Sequence, residues 1–210
     1  MLKCENLEVY GFKPAIRGMR NPMNSWNKSD SYCTHVEDPE TLETAKYQFF
    51  MGDDDLELAK KLVKAGTEHR KFLRMIQVYM DITAPLYWWK EFDTYKVGTV
   101  VNSCSTMHTI TDKEFTLDDF SCEHLAGTYT KVIVNTLNAA RKGFLETNDK
   151  SFWYQLIQLL PTSYNQRRTV MINYEVAMRI IEQRLGHKLD EWHQLITVLL
   201  ELPYLEEMNA

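Results

Sequence analysis

Apolar positions along this chain switch between two periods. Over residues 74–82 they alternate strictly: Ile76, Val78, Met80 and Ile82 fall on one side, and Met75, Gln77, Tyr79 and Asp81 on the other. A period of two marks a strand with one apolar face. Residues 53–66 follow helical spacing instead. Asp53–Asp55 suit the positive end of a helix dipole, and Gly66 ends the run. Residues 2–10 alternate weakly and read as another strand, and residues 13–25 as a short helix with Arg17 and Arg20 on adjacent turns. The polar stretch 22–41, rich in Asn, Ser, Asp and Pro, reads as a loop. A loop of that length is uncommon in a compact domain and suggests a binding or moving role.

Further on, Thr83 has the character of an N-cap, with Pro85 in the first turn of a helix reaching about Tyr95. Residues 97–103 are β-branched and predict a short strand, followed by an acidic linker at 111–121. Residues 122–146 predict a long helix with a buried stripe of Tyr129, Val132, Ile133, Thr136, Leu137, Ala140 and Phe144. Another helix covers 150–160 and stops at Pro161. Asn173 opens a helix in which Val176, Ala177, Ile180 and Ile181 share a face, and Arg184 continues that face. A guanidinium on an apolar face calls for an anionic partner, because burying it unpaired costs several kcal/mol. That partner is either a protein carboxylate, such as Glu182 or Glu191 near the helix end, or a ligand phosphate. Residues 188–202 close the chain with Leu195, Ile196, Leu199 and Leu200 at helical spacing. No repeat, low-complexity tract or domain boundary interrupts the pattern. The expectation is an α+β fold in one domain over residues 1–210, strands early and helices late.

Composition narrows the function classes. The 210 residues suffice for a sizeable core. A net charge of −5 argues against nucleic-acid binding through a general basic field. No apolar run approaches the roughly 20 residues that span a membrane, and the N-terminus lacks the apolar centre of a signal peptide. A cytoplasmic protein is expected. Cys4, Cys33, Cys104 and Cys122 show no metal spacing and read as reduced thiols. The histidines form no pair suited to zinc, so no metal is expected.

Candidate chemistry concentrates in residues 83–108. Tyr87, Trp88, Trp89, Phe92 and Tyr95 are interleaved with Lys90, Glu91, Asp93 and Lys96. This pattern fits an amphipathic helix with a bulky core face. It also fits polar groups set beside an aromatic wall for a planar ligand. The hydroxyl- and thiol-rich stretch around Ser103 and Cys104 follows a short strand. Such groups bind a phosphate or ribose, or satisfy their own backbone. As a nucleophile, Cys104 needs a cation such as Lys96 or Arg184 beside it in space.

These segments together resemble the flavin-dependent thymidylate synthases. The resemblance covers about residues 55–200. A helix ending near Lys64–Gly66 leads to His69 and a strand, then to Ala84–Pro85 opening a helix, then to a second strand. A helical region, Leu160–Pro161, Asn173, Arg184 and Trp192 follow in the family order. The resemblance implies a subunit with a small antiparallel sheet and several packed helices, assembled as a homotetramer with sites shared between subunits. It implies FAD as cofactor, deoxyuridine monophosphate as substrate, and NADPH and folate as co-substrates. Arg184 matches the arginine that engages the nucleotide and is the expected catalytic residue. His69, Lys96 and Asn173 are the expected cofactor-binding residues, and Lys90, Glu91, Ser103, Cys104 and Arg184 the expected nucleotide-binding ones.

The departures from the family pattern matter. The family's Arg-His-Arg signature falls on Thr94–Tyr95–Lys96, and its preceding Arg-Gln pair on Lys90–Glu91. Cys104 stands where the family has a serine beside the nucleotide, and Thr106 where an arginine holds the phosphate. In the early histidine motif, Arg74 and Met75 replace a glutamate and a histidine. Lysine cannot reproduce the guanidinium fork. Each lost phosphate-binding cation costs roughly 2–5 kcal/mol if it was buried and paired. Arg74, Arg167 and Arg168 are the cations that could make up the deficit. The alternative to a synthase-like enzyme is a non-catalytic nucleotide-binding or assembly protein on the same fold.

Overall fold

The computed structural model describes residues 2–36 and 46–209. Its centre is a four-stranded sheet in the order β1 (Lys3–Tyr10), β4 (Gln77–Pro85), β6 (Asn165–Asn173), β5 (Thr99–Ser103), with every neighbouring pair antiparallel. The alternation seen in sequence orients β4. Ile76, Val78, Met80 and Ile82 are buried, as are Val170 and Ile172 of β6. Tyr79, Asp81 and Thr169 stand on the opposite face.

Helices cover the apolar face. They include α1 (Phe12–Met19), α2 (Asp53–Lys64), α3 (Leu86–Phe92), α7 (Tyr174–Arg184), α8 (Asp190–Leu200) and α9 (Leu205–Asn209). The short α4 (Thr106–Thr109), α5 (Gly127–Thr147) and α6 (Lys150–Leu159) lie between β5 and β6 in sequence. The hairpin of α5 and α6 closes a second apolar cluster: Leu137, Ala140 and Leu156 pack with Ile110, Phe115 and Phe120.

The aromatic run of α3 is core rather than a ligand wall. Trp88, Trp89 and Phe92 are buried, and Trp88 packs on Trp192 of α8 with ring centroids 4.9 Å apart. The edges of α3 differ from the sequence expectation. Thr83 is no cap; it pairs in β4 with Arg167, Pro85 takes the cap position, and the helix ends at Phe92. The polar stretch 22–41 is not all loop either. Tyr32–Val36 forms β2 and pairs with β3 (Lys46–Phe50), while 37–41 lies outside the described residues. Helix α5 starts later than expected, and its inward stripe is narrower. Thr130, Leu137 and Ala140 are buried, whereas Tyr129, Val132 and Thr136 face outward. In α8, Leu195, Ile196 and Leu199 are buried but Leu200 is exposed. Strand β6, central to the sheet, follows no simple apolar alternation in sequence.

The acidic start of α2 does more than answer the helix dipole. Asp55 is fully buried and lies 2.5 Å from Arg20 Nε, itself buried. It also accepts hydrogen bonds from Ser29 Oγ at 2.6 Å and the Ser31 amide at 3.1 Å. These extra donors answer the carboxylate's remaining lone pairs and tie the polar segment after α1 onto α2. Among the described residues no helix is long and apolar enough to cross a membrane.

Candidate functional site

Asn173 sets the start of α7, because its Oδ1 accepts the Val176 amide at 3.0 Å. The helix then carries Arg184 inward, with its side chain only 19% exposed. Arg184 Nε donates to Tyr95 Oη at 3.0 Å, and Nη1 donates to Glu91 Oε2 at 2.9 Å. The guanidinium carbon sits 4.5 Å from the Trp192 ring centroid, a cation–π distance. Glu91 Oε2 also accepts from Trp192 Nε1 at 2.9 Å and lies 3.2 Å from His187 Nε2. Tyr95 Oη in turn donates to Gln183 Oε1 at 3.0 Å.

The anionic partner of Arg184 is therefore a protein carboxylate from α3, and neither of the two candidates, Glu182 and Glu191, that the sequence offers. Glu182 lies 3.8 Å from Arg70 instead. Glu191 is buried and accepts the Tyr87 hydroxyl. Burial first, and the Glu191 carboxylate second, push that hydroxyl's pKa well above its usual value. The fold thus joins two expected site residues, Arg184 and Glu91, in direct contact.

Asn173 also meets the turn that carries Lys96. Gly98 has a φ of +77°, and a methyl group there would come within 2.4 Å of Asn173 Nδ2. Gly98 is required both for that turn and for the close approach. The Asn173 side chain is buried and committed to capping. Lys96 is exposed and lines a shallow cleft of about 260 Å³ with Tyr95, Arg179 and Gln183. The Arg179 guanidinium carbon lies 5.5 Å from the Tyr95 ring centroid. Among the described residues, neither Lys96 nor Arg179 forms an ion pair. Sequence reasoning missed Arg179, because Glu175 and Glu182 sit within a turn of it on α7. Only the fold shows that those acids pair with Arg74 and Arg70.

The remaining expected residues do not join this cluster. Lys90 is exposed and makes no ion pair among the described residues. Ser103 and Cys104 are exposed at the end of β5. Cys104 lines a polar cavity of about 330 Å³ with Lys113, Asp119, Tyr164 and Arg167. Neither Lys96 nor Arg184 lines that cavity; the cations beside the thiol there are Lys113 and Arg167, paired with Asp119 and Asp81. His69 is exposed on a separate cavity of about 770 Å³, beside α1 and α2, which shares no lining residue with the Lys96 cleft.

The three reserve arginines are already engaged. Arg74 pairs with Glu175. Arg167 Nη2 lies 2.7 Å from Asp81, and Nη1 lies 3.9 Å from Glu5. Arg168 pairs with Asp93 at 2.9 Å and stacks on Trp89 at 4.2 Å. Hydrogen bonds from Thr169, Arg167 and Asn6 hold the Asp81 carboxyl well below the usual carboxylate range. No family description and no curated protein matches the chain.

Solved structures do. Two crystal structures of the flavin-dependent thymidylate synthase ThyX from Helicobacter pylori, each holding FAD and dUMP, align with it nearly end to end. One gives a TM-score of 0.72 at 17% identity, covering 99% of this chain and 96% of that one. The other gives 0.71 at 16% identity, covering 99% and 95%. The chain has the fold seen in those enzymes, with a small antiparallel sheet under packed helices.

Proposed function

We propose that this chain is a divergent flavin-dependent thymidylate synthase-like protein that binds FAD and a pyrimidine nucleotide of the deoxyuridine monophosphate type. The observation that carries the reading is the inward guanidinium of Arg184, set on a fold whose full-length neighbours hold those two ligands. In this reading Arg184 polarises the pyrimidine. Lys96 and Arg179, uncommitted to any carboxylate among the described residues, would hold phosphate oxygens. Ser103 and Cys104 stand by for the sugar or phosphate at the end of β5.

The residues fit the cofactor's phosphates better than its ring. Asn173 is taken up as a cap, and His69 lines a different cavity of the same protomer. A homotetramer with sites shared between subunits is part of the proposal for that reason. When bound and reduced, flavin supplies hydride, with NADPH as its reductant and folate as the carbon source for methylation. The chain's own contribution is to bind, orient and neutralise charge.

Absorbance of purified protein after incubation with FAD, and thermal shifts with deoxyuridine monophosphate, test the proposal. Flavin uptake, together with a nucleotide shift lost in Arg184→Ala, is the expected result. Protein that takes up no FAD and shows no nucleotide shift would refute it.

A second reading has its own observation. Glu91 and Tyr95 already take two of the three guanidinium nitrogens of Arg184, and Thr94 and Tyr95 bring no cation to the signature positions. On that reading the chain binds nucleotide without methylating it. Rescue of a thymidine auxotroph separates the two: growth favours the enzyme, and nucleotide binding without growth favours the non-catalytic protein.

A further inference from the structure

We infer that the Arg184–Glu91 pair reads the base of the bound nucleotide and selects cytosine over uracil. The ligand is then a pyrimidine deoxynucleoside monophosphate with an exocyclic amine, of the deoxycytidine monophosphate class. This rests on the nucleotide reading of the site and fixes which base it takes.

The pair is built asymmetrically. Three side chains converge on one oxygen of Glu91: Arg184 Nη1 at 2.9 Å, Trp192 Nε1 at 2.9 Å and His187 Nε2 at 3.2 Å all meet Oε2. His187 Nδ1 accepts the Leu189 amide at 3.2 Å, which puts the ring proton on Nε2, facing the carboxylate. Glu91 Oε1 has no partner among the described residues. Arg184 is held as firmly, with Nε on Tyr95 and its flat face on Trp192. Its Nη2 likewise has no partner among the described residues. An ion pair that served packing alone would close fork on fork, with both oxygens on the guanidinium. Here one oxygen takes every donor, and a fixed acceptor is left open beside a fixed donor nitrogen. Both side chains are part-exposed, at 19% for Arg184 and 35% for Glu91.

That order of groups suits one pyrimidine. Cytosine presents an amino donor at N4, then acceptors at N3 and O2, so the amine meets the carboxylate and the two acceptors meet the guanidinium. Uracil presents acceptor, donor, acceptor. With its N3–H on Glu91 it needs a donor on each side, and the pair supplies one on a single side only. A carboxylate has no hydrogen to give the second carbonyl, whereas a glutamine at this position would carry one. The phosphate end is within reach through Tyr95. The Arg184 and Arg179 guanidinium carbons lie 5.7 Å and 5.5 Å from its ring centroid, and Arg179 lines the cleft with Lys96.

Isothermal titration at neutral pH, on protein incubated with FAD, tests this with three probes: deoxycytidine monophosphate, deoxyuridine monophosphate and the 2-pyrimidinone deoxynucleotide, which lacks the amine without added bulk. Deoxycytidine monophosphate is expected to bind roughly tenfold or more tighter than either of the others, as a site built to pair a hydrogen-bonding group discriminates. Glu91→Gln should reverse the order of the cytosine and uracil nucleotides. The comparison with the 2-pyrimidinone nucleotide needs no variant and so holds whatever that substitution does to folding. Cytosine selection is overturned if the uracil nucleotide binds the parent as tightly, if loss of the amine changes nothing, or if Glu91→Gln leaves the ratio of affinities unaltered. Each of those results keeps a pyrimidine nucleotide in the site. Failure of all three probes to bind overturns cytosine selection and removes the nucleotide reading with it.

Discussion

Two of Arg184's nitrogens are given to Tyr95 and Glu91, and its flat face lies on Trp192. The acid matters as much as the base, because a single oxygen of Glu91 receives both Arg184 and Trp192. Glu91→Ala leaves two partly buried donors without that acceptor. It should cost about 2–3 kcal/mol, as deletion of a charged hydrogen-bond partner does, read from urea unfolding. Glu91→Gln keeps an acceptor and should cost about 1 kcal/mol or less. It also releases the guanidinium from its counter-charge, so the affinity for deoxyuridine monophosphate should rise in calorimetry. Asp81 is one carboxylate that contributes to acid sensitivity. Its folded pKa lies below its unfolded value, so its contribution to stability is present above about pH 4. That contribution is lost as pH falls through the folded pKa. Asp81→Asn should flatten the acid limb of a stability–pH curve measured by denaturation.

Elements form here where local signals and tertiary partners agree. At the start of α2 the cap is supplied from a distance: the Asp30 carboxylate accepts the amides of Asp54 at 3.0 Å and Asp55 at 3.1 Å. Asp30→Ala should destabilise the protein by about 1 kcal/mol, the usual worth of an N-cap, measured by thermal unfolding. Gly52→Ala should cost more, because its methyl group would fall within 2.1 Å of Asp30 Cγ. Strand β4 and helices α2 and α7 are legible in sequence, because their apolar residues keep one period from end to end. Strand β6 is not. Arg168 sits on the same side as Val170 and Ile172, where a guanidinium breaks the pattern until Trp89 and Asp93 are in place to receive it. Strands β2 and β3 hide for a related reason, since they pair with each other and β2 lies in a stretch of polar composition. At the candidate site, the inward turn of Arg184 is legible from helical spacing. Its pairing with Glu91 is not, because that contact joins two helices far apart in sequence.

The described residues form two apolar cores, one under the sheet and one closed by α5 and α6. Smaller cooperative units open at lower free energy than the main core. Amides of α5 and α6 should therefore exchange with deuterium faster than those of β4 and β6. Leu156→Ala, at a fully buried position, should cost about 2–4 kcal/mol and hasten exchange in that hairpin while β4 stays protected. Charge is also allotted across the whole fold. Arg74, Arg167, Arg168 and Arg184 each face an acid from another segment. The Arg184–Glu91 contact gives mutational history a direction. An arginine gained at position 94 would enter a neighbourhood where a resident carboxylate already competes with any incoming anion. Loss of that carboxylate has to come first, so laboratory selection for recovered nucleotide methylation should fix changes at position 91 before it rewards new basic residues.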